Sequence, residues 1–378
     1  MRFLKIQRYL LVALLFMLSA VFCKAQDYVE QKKASYFTVS VPGALGTFPM
    51  SLNDSMAVTG YYLVSPTVAY GFLEDAAGII TTFKVGGSIW TEPESINASG
   101  EITGFYETVP GVPHGFVRYA NGRIITFNPP GNTFPGGVQA EPVSINAFGV
   151  VAGNYPFPNI ASAGFARSRT GVFTMFSYAI GSSYPTVVTG LNASGTVVGF
   201  FSSFDFTLDA VSFLVNLDGF TTFFSVPLSE THNYETTIAE SINGDGYVAG
   251  WYGVCADFCE TKSGGGFVRS PQGVFTLFNV PGPIVALPES ADFDGTSFPI
   301  PRRLSINQDR VITGSYTDAN QAQHGFVRDA DGVITSFDPP RGMQTTATSI
   351  NDSGVIAGSF YYDWDAQASI GFLRIPTP

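Results

Sequence analysis

The sequence predicts an all-β fold, a seven-bladed β-propeller of four-stranded blades, from three observations. One short string recurs seven times, every recurrence but the last carries four strand signals, and the two chain ends complement one another. The composition agrees. Among 378 residues there are 41 Gly, 24 Pro and 34 Phe, with 14% aromatic and only 13% charged residues. So little charge with so many large apolar side chains excludes a disordered or coiled-coil chain. Frequent Gly and aromatics fit short strands joined by tight turns.

The recurring string reads SLNDSMAVTGYY at 51, SINASGEITGFY at 95, SINAFGVVAGNY at 144 and GLNASGTVVGFF at 190. It continues as SINGDGYVAGWY at 241, SINQDRVITGSY at 305 and SINDSGVIAGSF at 349. From Asn53 to Asn351 the spacings are 44, 49, 46, 51, 64 and 44 residues. Each copy has a follower, most clearly HGFVRYANGRIITF from 114 and HGFVRDADGVITSF from 324.

The first strand of a unit ends in Ser-Ile-Asn, and Asn, Asp, Ser and Gly then make a tight turn. The I/V-x-G-x-Y/F segment is the second strand and Gly-Phe-Val-Arg the third. A Gly-containing turn leads to the fourth, such as Ile124 to Phe127. Four strands in about 45 residues make a propeller blade. The last unit stops at GFLRIPTP, before its fourth strand. The N-terminal region supplies an unmatched one, Ser35 to Val39, followed by the Val41-Pro42-Gly43 ending of other fourth strands. Pairing these ends would close a ring of seven and remove an open sheet edge.

These motifs resemble the HAF-type family of extracellular repeat proteins, named for a His-Ala-Phe-like segment. Here that segment is His114-Gly-Phe116 and His324-Gly-Phe326. The resemblance spans residues 26–378 and implies export and a repeat fold, with no established activity. Only two copies carry the His; Tyr70, Ala163, Val211, Gly265 and Ile370 replace it elsewhere, so no function can need a ring of seven His.

Residues 1–25 read as a secretory signal: Arg2, Lys5 and Arg8, an apolar run from Tyr9 to Phe22, and Ala25 at the cleavage point. Lipidation at Cys23 is the rival, disfavoured by bulky Phe22. The run is short for a bilayer span and no second one follows, so a free, exported, monomeric protein, extracellular or periplasmic, is expected, with 26–378 as one domain. Losing the signal removes four basic residues and no acidic one, which moves the formal charge from −11 to −15. That sign excludes nucleic acid as a partner. Cys255 and Cys259 remain, spaced for a small local disulfide in an oxidising compartment.

Most conspicuous residues belong to the repeat. Asn occurs in all seven Ser-Ile-Asn-type strings, as a turn requires. Arg118, Arg167, Arg269, Arg328 and Arg374 share one position, where they can serve the following turn. Phe116, Phe127, Phe326 and Phe337 are expected to pack between blades, each burial worth about 1.5–3 kcal/mol. No nucleophile elbow, zinc-protease helix, phosphate loop or dinucleotide fingerprint is present. Asp292-Phe-Asp294-Gly295 begins like an EF-hand loop, but Arg303 stands where its Glu is required.

The connections between second and third strands, and from fourth strand to next unit, vary in length and share one face. They hold most of the acidic residues, from Glu92 to Asp365, and only Lys262, Arg302, Arg303 and Arg341 among basic ones. Variable loops on a rigid scaffold are where ligands bind. Glu94 and Glu240 directly precede the Ser of their inner strands and Glu141 lies three residues before its own, all near the channel mouth. Arg302 and Arg303 approach the same ring, and Trp90 and Trp364 are loop tryptophans. Carboxylates beside Trp suit a sugar, whose apolar faces stack while its hydroxyls hydrogen-bond. A glycan or cell-envelope partner is therefore expected, without a catalytic role. No cofactor is implied; calcium is the one metal an acidic face would take. A polysaccharide hydrolase or lyase using the same carboxylates, and a purely structural matrix protein, are the alternatives.

Overall fold

A computed structural model describes residues 34–130, 139–157, 160–178, 185–202, 210–227, 234–256, 261–281, 303–363 and 368–377. Among them are 28 β-strands and no helix. The strands run as antiparallel four-stranded meanders. Gly46–Leu52, Val58–Ser65, Val68–Glu74 and Ile80–Phe83 pair in chain order, and the pattern recurs along the chain. The last unit contributes Met343–Ile350, Ile356–Asp363 and Ala368–Pro376, and its fourth strand is Ala34–Val39 from the other end. The register runs Ala34↔Pro376 to Val39↔Gly371.

Six inner strands carry a register shift just before the repeated Ser position: Pro93/Ser95, Pro142/Ser144, Ala239/Ser241 and their equivalents, with Gly190 in place of the Ser in one; the short strand Ser305–Ile306 shows none. The extra residue of such a bulge is left out of the ladder and its side chain re-aimed. The bulge also explains the Gly of the second strand. A Cβ on Gly60, Gly104, Gly199 or Gly358 would lie 2.0–2.1 Å from an inner-strand carbonyl oxygen. A different contact fixes the Gly of Gly-Phe-Val-Arg: at Gly71, Gly115 and Gly325 a Cβ would strike the fourth-strand Phe83, Phe127 or Phe337.

The repeated Asn side chains link the units. Each Oδ1 accepts the backbone N–H four residues on, closing its own turn, as in Glu101 N to Asn97. Each Nδ2 donates to the backbone carbonyl of the next repeated Asn at 2.9–3.3 Å. The sequence Asn53, Asn97, Asn146, Asn192, Asn243, Asn307, Asn351 returns to its start, because Asn351 donates to Asn53. Ser Oγ atoms add a parallel link, accepting from Ile or Leu N–H of the next unit, as Ser95 does from Ile145.

Between units the core is aromatic. Phe72, Phe116, Phe165, Phe213, Phe267, Phe326 and Phe372 are fully buried. Each of the last six meets the fourth-strand Phe of the preceding unit at 6.0–6.4 Å. The five repeated Arg do more than serve their turns. Their guanidinium carbons lie 4.7–5.1 Å over those same Phe rings, so each is an interunit cation–π contact.

Candidate binding site at the acidic channel mouth

The bulge sets the site. Glu94 and Glu240 are the bulged residues of strands Trp90–Ile96 and Tyr234–Ile242, and both are buried, at 4% and 7% exposure. Arg303 lies two residues before Ser305 and forms an ion pair with Glu94, 209 residues away. In the Asn circuit the units of Glu94 and Arg303 are not neighbours, so this pair joins units that are separated along the chain. Glu240 Oε2 accepts the Leu304 N–H at 2.5 Å, which ties the start of that inner strand to the preceding unit.

Two half-buried carboxylates lie in front. Glu92 accepts the Trp90 indole N–H at 2.7 Å. Trp90 is half-buried, 5.8 Å from Tyr61, which in turn stacks on Phe48 at 4.8 Å. Glu141 opens its inner strand within the field of Glu94 and Glu107.

The electrostatics follow from three carboxyl groups meeting one guanidinium, with Glu141 added beside Glu94. Burial, then the Glu94 charge, push Glu92 up to about 8 against the opposing Trp90 and Arg303. Burial raises Glu240 to about 8, opposed by the Leu304 N–H, Arg303 and the nearby Trp251 indole. Glu141 rises to about 7 through burial, Glu94 and Glu107. Burial works against the charge on Arg303, but Glu94, Glu92 and Glu240 together raise its pKa. Burial and then Glu92 and Glu94 push the Tyr61 phenol up. Near neutral pH the mouth is therefore a store of protons around one cation.

Of the residues expected from sequence, Trp90, Glu94, Glu141, Glu240 and Arg303 are brought to this region. Arg302, Trp364, Cys259 and residues 1–25 lie outside the described residues. Cys255 falls on strand Val248–Ala256, its backbone paired with Tyr234 and Lys262. Sequence reasoning did not single out Glu92, Tyr61 or Trp251. Glu92 had a signal, since it lies two residues from Glu94 on one strand. Among the described residues no three His, Cys, Asp or Glu side chains form a metal-holding group, and no helix is long and apolar enough to cross a membrane.

No protein-family model and no curated protein matches this chain. Solved structures do resemble it. The crystal structure of puromycin hydrolase has a TM-score of 0.52 at 13% identity, over 87% of this chain and 53% of that one. The β-propeller domain of the Trilobed protease from Pyrococcus furiosus has a TM-score of 0.49 at 8% identity, covering 87% and 91%. TolB from Acinetobacter baumannii has a TM-score of 0.46 at 11% identity, covering 74% and 63%. The chain thus spans about half of puromycin hydrolase and less than two thirds of TolB. At these identities the likeness concerns the fold alone. The class defined here is an all-β protein of propeller-like meanders with an acidic cluster carried by its inner strands.

Proposed function

We propose that this protein is a seven-bladed β-propeller of the HAF-type repeat family, exported after loss of residues 1–25, that binds a glycan or cell-envelope partner through its acidic variable-loop face without turning it over. The seven-membered Asn circuit and the pairing of Ala34–Val39 with Ala368–Pro376 support the closed ring. The observation that carries the binding reading is the half-buried Trp90–Glu92 pair beside Tyr61, in front of buried Glu94 and Arg303. An aromatic face beside hydrogen-bonding carboxyls is the equipment of a sugar site. Retention on a panel of immobilised polysaccharides tests it. Wild-type protein is retained by at least one member, and Trp90→Ala or Glu92→Gln weakens retention about tenfold or more, as loss of one good contact does. Retention indifferent to both substitutions removes the site.

One observation favours a hydrolase or lyase as second reading. Proton-bearing Glu92 and Glu240 share a cluster with Arg303-paired Glu94, and an acid beside an ionised carboxylate is the pairing such chemistry uses. Against it, Glu94 and Glu240 are buried and already bound to Arg303 and Leu304. Release of reducing ends, abolished by Glu94→Gln, would replace binding with catalysis.

A further inference from the structure

Resting on the glycan-binding reading, we propose that the acidic mouth selects a cationic amino sugar, an oligomer or polymer of hexosamine with free amines, over neutral or N-acylated sugars. The first ground is stoichiometry. Glu92, Glu94 and Glu240 gather around Arg303, whose hydrogen bond goes to Glu94, and Glu141 lies within the field of Glu94. Three carboxyl groups are left without an ion-pair partner among the described residues.

The second ground is an unmet group inside the cluster. Glu240 is buried and its Oε1 has no hydrogen-bond partner, whereas Oε2 takes the Leu304 N–H. Once Glu240 gives up its proton, that buried oxygen is left open at a cost, and an N–H donor is what it then lacks. The third ground is spacing. The carboxyl groups do not converge as ligands of one metal ion. They line separate positions, Glu92 beside Trp90, Glu141 opening the next inner strand and Glu240 beyond Arg303. A polymer with one amine per ring presents donors at intervals, and its apolar ring faces suit Trp90. The retained protons fit the same reading, because an arriving ammonium favours the ionised form and displaces them.

Calorimetric titration of the whole chain with three hexamers, of glucosamine, N-acetylglucosamine and glucose, tests the selection at mildly acid pH. The glucosamine hexamer is expected to bind at least about tenfold more tightly than the other two. Its binding should release protons, seen as a heat that changes with buffer ionisation enthalpy. Glu92→Gln and Glu141→Gln should each collapse the preference, while Trp90→Ala weakens all three sugars alike. Equal or tighter binding of the N-acetylated or glucose hexamer overturns the amine selection and leaves the glycan reading standing. Binding of hexalysine but of none of the sugars overturns both.

Discussion

Asn146 is the most informative place to break the circuit that links the units. It is buried, its Oδ1 accepts the N–H groups of Phe148 at 3.0 Å and Val150 at 3.1 Å, and its Nδ2 donates to Asn192 O at 3.1 Å. In Asn146→Ala the buried Val150 N–H loses its side-chain acceptor, at about 1–3 kcal/mol. The lost bond to Asn192 O adds about 0.5–1.5 kcal/mol, because that carbonyl still accepts from Gly195 N. Phe148 is exposed and its N–H turns to water. The sum is a loss of about 1.5–4.5 kcal/mol, read from denaturant unfolding followed by tryptophan fluorescence. Asn146→Asp keeps both acceptor contacts but aims a carboxylate at Asn192 O, which raises the carboxyl pKa in the folded state. The folded variant then binds a proton the unfolded chain has released, so its deficit should shrink as pH falls through the raised value. A cost below about 0.5 kcal/mol for the Ala variant, or a pH-independent Asp variant, would refute the circuit as a structural bond between units.

Gly104→Ala should destabilise by at least about 2 kcal/mol, since its Cβ would lie 2.0 Å from Glu92 O. Gly86→Ala, with nothing within 4 Å, should be neutral or gain about 0.4–1 kcal/mol in the same unfolding assay. Glu92, Glu141 and Glu240 keep protons in the folded chain up to about 7–8 that the unfolded chain releases near 4.5. Stability should therefore fall as pH rises across that window, with Glu240→Gln flattening the slope; denaturation midpoints that rise with pH would contradict the assignment. Burial opposes the charged form of His324, but Asp338, bonded to Nδ1 at 2.7 Å, and Asp318 raise its pKa above the ordinary value. An NMR titration should place it there, Asp338→Asn should lower it, and the stability the pair adds should be lost as pH rises through the raised pKa.

The elements were legible because the repeat states its own chemistry. Ile124–Phe127 follows a Gly turn and is a strand at those residues, and Ala34–Val39 was recognisable by its Val-Pro-Gly ending. Local rules govern turns and strand alternation, and seven copies average out their noise. The bulges were not legible, although they decide where Glu94 and Glu240 point, because a bulge depends on the partner strand. Arg303 was placed near the mouth, but its ion pair with Glu94 crosses 209 residues and joins non-adjacent units. Strand order around the circuit brings those residues together, and no local pattern encodes it. The repeated Arg were read as serving the following turn; their stacking on the preceding unit's Phe belongs to packing between units.

Backbone hydrogen exchange locates ligand binding at the acidic mouth directly. Exchange is compared with and without a saturating oligosaccharide that the wild-type protein retains. The expected result is slowed exchange in Val58–Ser65, Trp90–Ile96 and Glu141–Ile145 and in the stretch starting at Arg303, with little change in the Asn turns. Protection confined to the turns after Asn53, Asn97, Asn146 and their equivalents would put the ligand at the other end of the channel and contradict the assignment.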